Sequence, residues 1–445
     1  MKKILLASVL LLSGGMANAQ AVINSWWLNT NGKKASYWAN SSTTPTPNPT
    51  YTFTQVTDSA DALKVGYNND TVWVYGRNMT DSMGKWGNPG NPSAYVSVHR
   101  FPRNPVVPAT KTLSPKIGEI GMLVNGIVIY GLGDANSWTG TTNANPQQGG
   151  MGIWNKEVGL GEGVSLDNTL GAHPQQQGVY HTHVAPYKLW NRLPATQHSP
   201  IVGWAFDGYP IYGPYGYSGS MNSSSAITRM KSGYSLRNIT TRTNLPTIPG
   251  GGGTASQAGP AVNATYPIGT YVEDYEWLAS NGGDLDEYNG RFCVTPEFPG
   301  GTYAYFVTID ATSKPVFPYY IGVYYRGQPD TRNFPQGPNG NGVSIPTTGI
   351  TYRTGSNVGV ASYAKDYAPL VIFPNPATNG QFSILGNAHS FNYVTVVNMQ
   401  GQKIYGAALN GTSDHTIKLT VPGVYFVRCE DPATGIAQVG QIVVR

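Results

Sequence analysis

Apolar residues along this chain come in short runs closed by Gly, Pro, Asn or Asp, and a sustained helical period is missing. The runs "TVWVYG" from Thr71, "AYVSVH" from Ala94, "IVGWAF" from Ile201, "GTYAYFVTI" from Gly301 and "YYIGVYY" from Tyr319 read as strands. In "GMLVNGIVIYG" (121–131), Asn125 and Gly126 separate two apolar runs, which predicts a hairpin closed by a type I′ turn. The expected fold class is mainly β: a sandwich-like body with long loops, followed by a small C-terminal β-sandwich.

The pattern weakens between Asp134 and Gln177 and between Ser218 and Tyr266, where "TIPGGGGTASQAGP" reads as a flexible insert. Gly327 opens the Pro-, Gly- and Asn-rich stretch "GQPDTRNFPQGPNGNG", so residues 328–366 are expected to be a linker between a body at 20–327 and a domain at 367–445. Alternation returns in "LVIFPNPATNGQFSI", "YVTVVNMQGQKIYG", "GVYFVR" and "GQIVVR". These strands suit a small sandwich.

The first 19 residues, with Lys2 and Lys3, a short apolar core and small residues at Ala17 and Ala19, predict a secretory signal peptide cleaved before Gln20. No run reaches the length of a membrane helix, so no span is expected. The formal charge of +5 falls by two with the signal peptide, too weak and dispersed for a nucleic-acid partner. Only two cysteines occur, Cys293 and Cys429, in separate predicted domains, and two unpaired thiols are expected.

Four of the seven histidines fall within 172–199. On a strand, His181 and His183 share one face, with side-chain origins about 6 to 7 Å apart, close enough to chelate one ion. With His198 as a further principal ligand, His173 in support and Tyr180 beside His181, they form the candidate metal site, for copper or zinc. For His173 and His198 the alternative is a loop histidine bonded to backbone carbonyls. Glu287, Asp207 and Asp286 are the candidate accessory carboxylates, Glu287 as nearby ligand or general base. Structural alternatives stand beside them: Asp207 as a cap of a stiff turn, and "GGDLDEYNG" as an Asx-turn, out of phase with an EF-hand. Tyr209, Tyr212, Tyr215 and Tyr217 either pack between loops or present rings to sugars. No nucleophile elbow, phosphate loop or His-Glu-x-x-His is present.

Two resemblances follow from these motifs. "GVYHTHVAPY", "HSPIVGWAFDGYPIYGPYGY", "DLDEYNGRF", "TPEFPGGTYAYFVT" and "FPYYIGVYYRG" together resemble the YHYH family over about 118–327. That resemblance implies an exported β-rich domain with metal binding conjectured from its histidines, and no reaction. Thr182 replaces a tyrosine of the family core, Tyr288 and Val323 stand where many relatives have cysteines, and Ala304 where a histidine often stands. The paired imidazoles therefore survive, while a disulfide at 288 and 323 is not implied. The last segment, with Pro374, Asn375, Pro376, Gly401, Gln402, the Gly423 to Arg428 strand and Arg445, resembles the type A C-terminal sorting domain of the type IX secretion system of Bacteroidota. This implies the secretion machinery as partner, passage across the outer membrane, and release or attachment at the cell surface.

Three functions compete at this stage. The first is metal binding through the clustered histidines. A metal-dependent hydrolase or oxidoreductase is the second, and a non-catalytic adhesin or glycan binder the third.

Overall fold

Eight of the short apolar runs and their neighbours pair into one mixed sheet, formed by β1 (Glu119–Leu123), β2 (Val128–Tyr130), β3 (Ala172–Pro174), β4 (Tyr180–Thr182), β5 (Ile201–Ala205), β6 (Pro210–Tyr212), β7 (Gly290–Cys293) and β8 (Thr302–Phe306). The computed structural model describes residues 21–28, 36–38, 51–53, 63–77, 87, 92, 96–140, 143–144, 154–175, 178–190, 193–243, 245, 258–334, 343–353, 371–385, 393–398, 402–409, 414–431 and 436–445. The predicted signal peptide and most of the glycine-rich insert lie outside them. Strand order is β3-β4-β2-β1-β5-β6-β8-β7, with β4/β2 and β6/β8 parallel and the other neighbours antiparallel. Every residue of β1, β5 and β8 is buried. A sheet covered on both faces has no solvent side, which is why these strands read as continuous apolar runs.

A second sheet of four strands, Thr351–Tyr352, Leu63–Tyr67, Thr71–Arg77 and Val96–Pro102, packs against the first. The His99 ring stacks on Phe206, with centroids 5.2 Å apart, and Phe101 lies between Phe206 at 5.9 Å and Trp26 at 4.9 Å. Between the sheets, His99 Nε2 meets Glu119 Oε2 at 2.5 Å. This sheet-on-sheet core matches the expected sandwich-like body. Of the stretch expected as a linker, the described residues lie on the body: Arg100 Nε donates to Asp330 Oδ2 at 2.8 Å, and Thr351 pairs with Tyr67.

Three local expectations are corrected. In the 121–131 hairpin only Gly126 has positive φ (87°), and its N–H bonds Leu123 O at 2.9 Å. One left-handed residue after a hydrogen-bonded turn is a three-residue loop with a bulge, so Asn125 avoids the strained conformation that type I′ would impose. "YYIGVYY" forms a strand only at Tyr324–Tyr325, because Tyr319 lies in the left-handed region at φ 68°. The predicted long loop at 134–177 holds a three-stranded sheet of Gly133–Trp138, Asn143–Ala144 and Asn155–Glu157, then a helical turn at Val158–Gly161. Pieces this short show no period in the sequence.

Arg242 fixes the other long insertion. Its guanidinium, fully buried with Asp274, donates to both Asp274 carboxylate oxygens at 2.7 Å and to the carbonyls of Pro260, Tyr266 and Pro267. Five donated bonds leave no buried charge uncompensated.

The chain divides into two compact units, the second being Val360–Arg445. In it, a sheet of Val371–Phe373, Gln381–Leu385 and Asp414–Lys418 and a sheet of Lys403–Ala408, Tyr393–Asn398, Gly423–Asp431 and Ile436–Val444 enclose a core that includes Phe382, Ile384, Ile417, Val394, Val396, Val427 and Ile442. This is the expected small sandwich. Cys293 and Cys429 are both buried and unpaired.

Candidate metal centre

The segment Ala172 to Thr182 folds into the hairpin β3–β4, closed by Gln175 N–H to Val179 O at 3.0 Å and by Gly178 at φ 83°. Its register places His173 directly opposite His181. Directly opposed residues project to the same face. His183 follows two residues on, its N–H continuing the ladder to Gly171 O at 3.1 Å, so the third imidazole joins the first two. Ring centroids lie 4.8 Å apart for His173 and His181, 4.8 Å for His181 and His183, and 5.6 Å for His173 and His183. Tyr130 on β2 stacks on His181 at 4.0 Å and meets His183 edge-on.

A carboxylate completes the group. Glu162 ends the turn Val158–Gly161, and one ligand atom from each of Glu162, His173, His181 and His183 lies within 4.8 Å of the others. Glu162 Oε2 is 2.8 Å from His173 Nε2 and 3.2 Å from His183 Nε2. At the other end of the turn Glu157 caps it, accepting from Gly159 N–H and Leu160 N–H at 2.9 Å and from Tyr319 O–H at 2.6 Å.

The outer nitrogen of each ring is committed. His181 Nδ1 bonds Val179 O at 3.0 Å and His183 Nδ1 bonds Gly131 O at 3.2 Å. A carbonyl only accepts, so both Nδ1 atoms carry hydrogen and, in neutral rings, both Nε2 atoms offer lone pairs. His173 Nδ1 bonds Ser165 Oγ at 2.8 Å, while that hydroxyl donates to Glu162 O at 2.7 Å. The serine must then accept from the ring, leaving His173 Nε2 a lone pair too. His183 Nε2 and Glu162 Oε2 are buried and, despite their approach, make no aligned hydrogen bond. Two orphaned atoms facing each other among lone pairs lack a cation. Burial, then the neighbouring His183 and His173, hold His181 well below the ordinary imidazole range. For Glu162 burial acts upward, but the close approach of the His183 and His173 rings outweighs it and keeps the carboxyl well below its usual range.

The remaining sequence candidates lie elsewhere. His198 precedes β5, three strand positions from β4, or about 14 Å by ordinary strand spacing. Its ring packs among Tyr212, Tyr217 and Phe306, and its Nδ1 bonds Ser199 O at 2.8 Å, which is the loop role held open above. Glu287 pairs with Lys111 Nζ at 2.9 Å. Asp286 accepts from Tyr288 N–H, Gly290 N–H and Tyr303 O–H, an Asx-turn. Asp207 accepts from Tyr305 O–H at 2.6 Å and Gly327 N–H at 2.9 Å, and burial pushes its carboxyl up to about 6. Tyr180 points away from the imidazoles and donates to Asp167. Thr182 also faces away, donating to Leu170 O, as its place between the histidines requires. Tyr209 and Tyr212 are buried, and Tyr215 and Tyr217 half-buried, so the four tyrosines are packed between elements.

Glu162, Ser165 and Tyr130 escaped the sequence reading. The one trace of Glu162 is a lone carboxylate between Gly161 and Gly163, upstream of His173.

The model of the family described as YHYH protein matches residues 98–317, which include all four members of the cluster. That of the secretion system C-terminal sorting domain matches residues 371–445. Among the described residues no helix is long and apolar enough to cross a membrane. No curated protein matches the chain. A solved structure of PorZ, described as an essential bacterial surface component of the type-IX secretion system of Porphyromonas gingivalis, matches 22% of this chain at 19% identity with a TM-score of 0.15. The chain spans 14% of that protein's length, and the likeness carries no argument.

Proposed function

We propose that the exported body of this chain, matched over residues 98–317 by the YHYH family and followed by a type IX sorting domain that directs it to the cell surface or beyond, holds one divalent transition ion on His173, His181 and His183 with Glu162. The carrying observation is that three imidazoles, each tied at Nδ1 to a protein oxygen, gather with one carboxylate so that a ligand atom from each lies within 4.8 Å of the others, His173 and His183 meeting Glu162 through Nε2. Three nitrogens and one oxygen with no sulfur suit zinc or copper(II) better than copper(I), calcium or magnesium. Outer oxygens on Nδ1 fix ring and tautomer, as at metal sites generally. An ion held there would tie the β3–β4 hairpin to the Val158–Gly161 turn and supply a Lewis acid next to Glu162. His198, Glu287, Asp286 and Asp207 have no part in it.

Elemental analysis of the purified protein tests the reading. About one equivalent of zinc or copper is expected in the parent chain, and none in His173→Ala/His181→Ala. Equal metal in both, with the variant still folded by circular dichroism, overturns it.

A further inference from the structure

A second group of charged side chains gathers where residues 112–114 run against residues 323–325. Leu113 pairs with Tyr324 and Thr112 with Tyr325, and Ser114 N–H continues the ladder to Val323 O at 2.9 Å. Tyr325 is fully buried and donates through its hydroxyl to Ile120 O, so Tyr324 and Arg326 on either side of it project the other way. Leu113, directly opposite Tyr324, is 58% exposed, which marks that side as the one facing water.

Two cations meet there across phenol rings. Arg326 Cζ lies 5.5 Å from the centroid of the Tyr288 ring and 5.4 Å from that of Tyr303. Lys111 Nζ lies 5.4 Å from the Tyr288 ring and 5.8 Å from that of Tyr324. Tyr288 is thus shared by both charges, each attracted to its ring.

Their counter-charges are unequal. Lys111 Nζ pairs with Glu287 Oε1 at 2.9 Å. Among the described residues no carboxylate pairs with Arg326, and its Nε is buried without a hydrogen-bond partner. The aspartates nearest to it are spent elsewhere: Asp207 accepts from Tyr305 O–H, Tyr209 N–H and Gly327 N–H, and Asp286 from Tyr303 O–H and the N–H groups of Tyr288 and Gly290. A half-buried guanidinium without a counter-ion is a charge left uncompensated. It calls for an anion.

Tyr288 adds a donor of a different kind. Burial raises its hydroxyl above the ordinary range against the lowering pull of Lys111 and Arg326, so the phenol keeps its hydrogen. Among the described tyrosine hydroxyls that are shifted, those of Tyr288 and Tyr324 are the least enclosed. The tip of Tyr288 therefore lies toward the water side.

We propose that Lys111, Tyr288 and Arg326 form a binding site for a tetrahedral oxyanion, sulfate or phosphate, free or as an ester. A guanidinium fork, an ammonium and a hydroxyl offer donors to several oxygens of one such group, whereas a carboxylate presents only two. No covalent bond is made or broken, and the site is independent of the metal centre.

Calorimetric titration of the full chain at fixed ionic strength tests this, with inorganic sulfate, inorganic phosphate, a monosulfated glucose and acetate as probes. Saturable binding of sulfate or phosphate is expected, with acetate about tenfold weaker, the equivalent of one lost charge-assisted hydrogen bond. Arg326→Met keeps an apolar stem between the tyrosines and removes the charge, and should weaken binding about tenfold or more. Lys111→Met should weaken it too, while Glu287→Gln should strengthen it by releasing Lys111 from its present partner. Tighter binding of the sulfated sugar than of sulfate supports the site with an ester as ligand; equal or weaker binding supports it with the free ion. No saturable binding of any tetrahedral anion overturns the proposal. So does sulfate affinity equal to the parent's in Arg326→Met and Lys111→Met, both folded by circular dichroism. If Arg326→Met does not fold, unchanged affinity in Lys111→Met and Glu287→Gln overturns it equally. Acetate bound as tightly as sulfate overturns the tetrahedral preference.

Discussion

His173 and His181 face each other across the β3–β4 pair, in register and with ring centroids 4.8 Å apart. This is a cross-strand contact of two bases, each with its outer nitrogen already used. Such a pair gains nothing from packing that two apolar residues would not supply better, and its geometry is useful to a cation.

Ser165 couples the two halves of the site, since its hydroxyl touches both His173 Nδ1 and the Glu162 carbonyl. Ser165→Ala is expected to weaken metal affinity by about 10- to 100-fold, the usual effect of losing an outer partner of a ligating histidine. Competition with a chromophoric chelator measures this. Unchanged affinity would show that the His173 ring needs no such anchor.

His198 is predicted to be irrelevant to metal and sensitive to acid. Burial depresses its pKa to about 4, so the folded protein favours the neutral ring. Its contribution is present above about pH 6.5, the unfolded value, and is lost as pH falls toward the folded value of about 4. His198→Ala should retain the parent's metal content, and the His198 ring protons should titrate near pH 4 by NMR. Loss of metal in that variant contradicts the assignment.

Asp207 has the opposite sign. Its folded pKa, raised by burial to about 6, means that the protonated acid is favoured inside. The associated stability is present below about pH 3.9, and is lost as pH rises through the folded value near 6. Urea unfolding of the parent and Asp207→Asn between those limits should show the downward contribution in the parent alone. An identical pH slope in both assigns it to other groups.

Arg242→Ala leaves Asp274 buried without its partner and frees three carbonyls of the 258–274 region. A loss of about 3–5 kcal/mol is expected. Chemical unfolding reads it. A change below about 1 kcal/mol would place the ion pair among those that contribute nothing measurable.

The sandwich-like body was legible where strands are long enough to leave a pattern: Thr71–Arg77, Ile201–Ala205 and Thr302–Phe306 all lie within predicted apolar runs or overrun them by one residue. Three of the four groups of the site were named in the sequence, His181 and His183 because residues two apart on a strand must share a face, and His173 in their support. Glu162 was not, since it arrives on a four-residue turn whose placement depends on Glu157 and Tyr319, both distant in the sequence reading from any histidine. His198 misled for the converse reason. It is close to His183 along the chain, but β2 and β1 pair between β4 and β5, so the sheet's own strand order carries it away.

X-ray absorption fine structure of the metal-loaded protein addresses the site most directly, because it counts the light atoms bound to the ion. Three imidazole nitrogens with one oxygen neighbour and no sulfur are predicted in the parent, and no bound ion in His173→Ala/His181→Ala. A shell of oxygens alone, a sulfur neighbour, or the same three-imidazole signal in that variant would contradict the account.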